Sequence, residues 1–215
     1  MPSFSSTTKE AVLISPLENW TPTWNLEGYL TYLERAGYHV NLIFNENASI
    51  AFLKTELTKY DLIILRTDSF YYEGLNYYCS WEPVTSRSRA FYAEEISAHE
   101  MRVGVCVGFS LIFLQHNYPP GSLKPGLVLA VGGGSLELTT AFITAGASVF
   151  IGYFDMYSLY WGRLDALTTK ILSYLSEGST VKDSMLLLYK YLARGHGQSS
   201  TLPSIYWNGN GDFTI

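Results

Sequence analysis

Short apolar runs alternate along this chain with stretches whose apolar residues recur at helical spacing. Ala11-Val-Leu-Ile-Ser-Pro16 is an apolar run closed by a turn residue, the form of a strand buried on both faces. Between Trp24 and Ala36, Leu26, Tyr29, Leu30 and Leu33 mark one face of a helix, and Gly37 stands where a C-cap glycine belongs. His39 to Phe44 reads as a second strand. Ile50, Leu53 and Leu57 then mark a second amphipathic helix ending near Tyr60, and Asp61-Leu-Ile-Ile-Leu65 is a third strand. That strand runs directly into Arg66-Thr-Asp-Ser69, a polar tip at a strand's C-terminal end, which is where open α/β sheets carry their sites.

From about Phe70 to Gly126 the rhythm breaks. This stretch mixes aromatic and charged residues, with a strand or hairpin expected at Met101 to Phe109 and a turn at Pro119-Pro-Gly121. It reads as an insertion between core elements. The core resumes with the strand Leu127-Val-Leu-Ala-Val131, the tip Gly132-Gly-Gly-Ser135, and a helix from about Leu136 to Ala145 capped by Gly146. Ser148 to Tyr153 is a further strand. Helices follow at about Leu159 to Leu175 and Val181 to Ala193, and residues 194–215 form a Gly-, Ser- and Asn-rich tail. The expectation is a single α/β domain over 1–215, a three-layer α/β/α sandwich around a mainly parallel sheet, with the insertion between its third and fourth core strands.

Composition narrows the functional classes. A length of 215 residues suits one core, and 47% hydrophobic with 15% charged residues is a folding composition. Net charge is −5 and no Lys/Arg run is present, so nucleic acid and anionic membrane surfaces are poor partners, while a peptide or protein partner stays open. Residues Met1 to Lys9 lack a basic region followed by an apolar stretch, and no run approaches the roughly 20 apolar residues of a spanning helix; a cytoplasmic chain is expected. Cys79 and Cys106 sit in dissimilar contexts without metal-ligand spacing, so buried free thiols are expected rather than a zinc site or a disulfide framework. No cofactor or metal is implied. The aromatic cluster from Phe70 to Trp81 is expected to pack the insertion or line a groove.

Three segments carry a resemblance. Tyr60-Asp-Leu-Ile-Ile-Leu-Arg-Thr-Asp-Ser69, Leu127-Val-Leu-Ala-Val-Gly-Gly-Gly-Ser135 and Ala141-Phe-Ile-Thr-Ala-Gly-Ala-Ser-Val-Phe-Ile-Gly152 together resemble the caspase-like (clan CD) cysteine peptidases, of the gingipain and CHAT-domain type. The resemblance runs from about Ala11 to Leu192. It implies a catalytic His at the end of the third strand and a catalytic Cys at the end of the fourth. Here Asp68 stands at the first position and Gly133 or Gly134 at the second. A carboxylate and a bare backbone cannot replace a thiolate and its imidazole partner. The resemblance therefore implies an inactive pseudo-peptidase serving as a binding or regulatory module, with Arg66, Ser69, Ser135 and Asp155 as cleft residues.

Ser135 as a nucleophile lacks the G-x-S-x-G elbow and a base, and capping of the following helix is the plainer role. Gly132 to Gly134 could cradle an anion as in a flavodoxin-like binder, yet match neither a P-loop nor G-x-G-x-x-G, and read better as a tight turn. An active alternative pairs Cys79 or Cys106 with His99 or His116. His39 precedes a strand and His196 lies in the tail, so neither is placed for catalysis.

Overall fold

The computed structural model describes residues 8–17, 26–154, 161–196 and 205–215. Strand β1 (Lys9–Ser15) leads to α1 (Leu26–Arg35) and β2 (Tyr38–Phe44), then α2 (Ile50–Thr55) and β3 (Leu62–Arg66). The insertion supplies β4 (Ser69–Tyr72), β5 (Leu75–Cys79), α3 (Ser86–Phe91), α4 (Ala93–Ser97), β6 (Met101–Val103), β7 (Val107–Phe109) and α5 (Leu111–Asn117). The core then continues through β8 (Leu127–Val131), α6 (Thr139–Ala145), β9 (Val149–Tyr153), α7 (Trp161–Ser176), α8 (Val181–Tyr191) and β10 (Ile205–Gly209).

The central sheet has the order β10-β9-β8-β3-β1-β2. It is parallel except for β10, which runs antiparallel to β9. Side chains alternate across it as the two-residue period of a strand requires. Val12, Ile14, Ile63, Leu65, Val128 and Ala130 enter one core with residues of α2, α5 and α6. Ala11, Leu13, Leu62, Ile64, Leu127 and Leu129 enter the other with α1, α7 and α8. Burial on both faces is why these strands read as unbroken apolar runs. The three-layer α/β/α architecture read from the sequence is the architecture of the molecule.

One reading needs correction. The Ile205–Gly209 stretch of the supposed tail is the edge strand β10, its Gly and Asn residues notwithstanding, because every backbone partner it needs is offered by β9 from Tyr153 to Val149. The insertion carries the hairpin expected at Met101 to Phe109, as β6 paired antiparallel with β7. It folds as a second, antiparallel sheet in the order β4-β5-β7-β6. The β4–β5 hairpin turns at Glu73 and Gly74, both with positive φ (48° and 87°), the conformation a two-residue hairpin loop demands. Tyr78, Val107 and Phe109 of this sheet join the core beneath α2, α5 and α6.

Candidate functional site

Strands β3 and β8 are direct neighbours, with Arg66 opposite Val131. Their tips therefore continue side by side, and two residues further on Asp68 and Gly133 stand at the same edge of the sheet. The tips are held very close. The Thr67 N–H donates to the Val131 carbonyl at 3.1 Å, and a Cβ on Gly132 would lie only 2.1 Å from the Thr67 carbonyl oxygen, so glycine is needed there for the approach itself. Ser69 Oγ then donates to the Gly133 carbonyl at 2.6 Å, and the Tyr78 hydroxyl donates to the Gly134 carbonyl at 2.8 Å. Asp68 is exposed, and its carboxylate accepts the Ser69 N–H at 2.8 Å.

The remaining sequence-derived site residues divide sharply. Ser69 reaches the glycine tip, as just described. Arg66 does not face a cleft: it is buried, and its guanidinium grips Asp165 of α7 through two bonds, Nε to Oδ1 at 2.9 Å and Nη2 to Oδ2 at 2.8 Å. The Tyr29 hydroxyl donates to the same carboxylate at 2.8 Å, and the Trp161 ring lies 4.7 Å from the guanidinium carbon. Burial, and then the Asp165 charge, hold the Tyr29 phenol well above the ordinary tyrosine range. A guanidinium tied this way orders the third strand against the helix layer rather than meeting a ligand. Asp155 lies outside the described residues.

Ser135 is neither nucleophile nor cap. Its buried hydroxyl donates to the Ala130 carbonyl at 2.6 Å and accepts the Tyr153 N–H at 2.9 Å, stitching β8 to β9, while the helical turn after it begins at Gly134 without a side-chain cap. The glycines enter a four-residue 3-10 turn, Ser135–Leu138, before α6 begins. With the Gly133 and Gly134 carbonyls both taken by hydroxyls, the segment behaves as a tight strand-to-helix connection. Gly134 has φ of 68°, a left-handed geometry natural to glycine.

The cysteines overturn the free-thiol expectation. Cys79 and Cys106 form a disulfide with their Cα atoms 5.6 Å apart. Neither thiol is available as a nucleophile, which removes the displaced Cys–His pair. The histidines have structural roles instead: His116 Nδ1 contacts Glu100 at 2.6 Å, His39 Nδ1 contacts Glu10 at 3.0 Å at the opposite edge of the sheet, and His99 takes a left-handed turn position with φ of 58°. His196 closes the short π-helix Leu192–His196 beyond α8. Among the described residues no group of acids, histidines or cysteines is arranged to hold a metal ion.

The cross-link is tied to the strand tip. The Cys79 N–H donates to the Asp68 carbonyl at 2.9 Å, and the Cys79 carbonyl accepts Thr67 Oγ1 at 2.6 Å. On its other side Cys106 borders a cavity of about 300 Å³, lined also by Leu17 just past β1 and by Trp81, Glu82, Val84 and Val105 of the insertion. Parallel pairing of β1 and β3 puts this cavity at the same sheet edge as Asp68. Its rim is apolar, with Val84 and Val105 exposed, and Glu82 is anchored by accepting the Ile50 N–H through Oε1. Of the aromatic cluster, Tyr77 and Tyr78 are packed inside, Phe70 stacks on Tyr77 at 5.6 Å, and Trp81 alone borders the cavity. Sequence reasoning missed both Asp165 and this cavity, since each joins segments far apart in the chain.

Comparison with protein-family models and with curated proteins finds no match to the chain. Among the described residues no helix is long and apolar enough to cross a membrane.

Proposed function

We propose that this chain is a caspase-like pseudo-peptidase, a domain that keeps a peptidase-type cleft and uses it for binding or regulation rather than hydrolysis. One observation carries the reading: the paired tips of β3 and β8 present Asp68 and Gly133, joined through the Ser69–Gly133 hydrogen bond, where an imidazole and a thiol would be required. The two cysteines support it further, because both are consumed by one disulfide. The apolar cavity beside Cys106, bordered by Trp81, Val84 and Val105, supplies a surface for a peptide or protein segment. The same disulfide favours an oxidising compartment over the cytoplasm expected from the N-terminal residues.

The test is a peptide-library digest with the purified, non-reduced protein, run beside an alkylated sample. Absence of cleavage above buffer, together with saturable binding of some peptides that Trp81→Ala weakens, is the expected result. Cleavage that disappears on alkylation, or on Asp68→Ala, would refute the proposal. The oxidised state is checked by counting reactive thiols in protein taken from its native source, where none is expected.

A further inference from the structure

The outer edge of the four-stranded sheet holds a second cavity, of about 210 Å³, between strand β6 and the helices α3 and α4. Its walls are Arg89 of α3, Ala93 and Ile96 of α4, and Arg102 and Val103 of β6. We propose that it binds a small organic carboxylate carrying a short apolar body.

Two guanidiniums border a hydrocarbon floor here, and they lack anionic partners. Among the described residues no carboxylate pairs with Arg89 or Arg102, although acids are close in the sequence. Glu95 pairs with Lys54 at 2.9 Å, Glu100 contacts His116 at 2.6 Å, and Glu94, exposed in the first turn of α4, forms no ion pair with either arginine. Arg102 is also held in place, its guanidinium carbon 3.6 Å from the centre of the Tyr72 ring. Stacking on one face fixes the plane of the group while leaving its edge N–H donors for an acceptor, so little ordering is needed on binding. Ile96 is half-buried and Val103 is buried, giving the floor an apolar character that inorganic anions cannot use. In a chain of net charge −5, two uncompensated cations around one apolar hollow select an anion with a hydrocarbon portion.

The experiment is a methyl-resolved NMR titration of the full chain with isovalerate and benzoate, compared with their neutral amides and with inorganic phosphate. Saturable shifts at Ala93, Ile96 and Val103 are expected with the carboxylates. The amides should bind at least about tenfold more weakly, and Arg89→Ala and Arg102→Ala should each cost about tenfold in affinity. Arg102→Lys should retain part of it. Equal binding of amides and acids, phosphate binding tighter than either acid, no saturation up to about 10 mM, or unchanged shifts in the double alanine variant would each overturn the proposal. Arg89 is exposed on α3, so its variant keeps the test decisive even if loss of the Tyr72 stack unfolds the Arg102 variant.

Discussion

Replacing Asp165 by Asn is the sharpest probe of how the third strand is held. The substitution preserves shape but removes the carboxylate charge that the buried Arg66 guanidinium, 5% exposed, grips through two bonds. Only one of the two acceptor oxygens survives: Oδ1 can keep the Arg66 Nε and Tyr29 hydroxyl bonds, whereas an amide NH2 in place of Oδ2 sets a donor against Nη2 and loses the bond at 2.8 Å. Breaking one side of a buried pair costs about 3 to 5 kcal/mol, roughly a fifth or more of the stability of an ordinary domain. The pair itself is worth much less, because both ions were desolvated to make it. The double variant Arg66→Met, Asp165→Leu should therefore be more stable than Asp165→Asn by about 2 kcal/mol or more. Urea denaturation of the single and double variants, read by midpoint and slope, measures all terms. A cost below about 1 kcal/mol for Asp165→Asn, or a double variant as unstable as the sum of the singles, would refute the reasoning and reopen Arg66 as a ligand residue.

Three more outcomes follow from the geometry. Removing the disulfide with Cys79→Ser and Cys106→Ser opens a loop spanning 27 residues and should lower stability by about 3.5 kcal/mol on a chain-entropy estimate, measured by the same denaturation. Gly132→Ala forces a methyl to within 2.1 Å of a backbone carbonyl that belongs to the paired tip, so a loss of about 2 kcal/mol or more is expected in a thermal melt; a neutral result would deny the close approach. Burial pushes the phenols of Tyr38 and Tyr92 up to about 12, so the folded state keeps them neutral where the unfolded chain ionises near 10. Their stabilising contribution is complete below pH 10 and is lost as pH rises towards 12, and absorbance titration near 295 nm should show these phenols ionising together with unfolding in that window.

How much of this was legible in the chain depended on separation along it. The parallel strands announced themselves because two-sided burial leaves little room for polar residues, as in Leu62–Arg66 and Leu127–Val131. Gly37 and Gly146, with φ of 85° and 123°, stop their helices where the pattern stops. The site was legible only as far as its two tips. Asp165 sits within an ordinary helical pattern 99 residues from Arg66, and nothing local distinguishes it from a solvated acid. The cysteine pairing was hidden for the same reason, since only the fold of the insertion sheet brings Cys79 beside Cys106. Strand β10 was missed although Ile205, Tyr206 and Trp207 favour strands, because the run is short, ends in Asn208-Gly209 and lies in a Gly-, Ser- and Asn-rich stretch, and only the fold supplies its partner β9.

That last strand limits how the chain can be shortened. Phe213 lies over Gly126, and its carbonyl receives the Val181 N–H at 2.9 Å, while the Gly211 carbonyl receives that of Lys182 at 2.9 Å. A truncation placed after residue 194 on compositional grounds would strip all of this away. Val149–Tyr153, every residue of it buried, would become a bare apolar border with its hydrogen-bonding groups open to other molecules. Such a fragment is expected to accumulate as insoluble material when expressed.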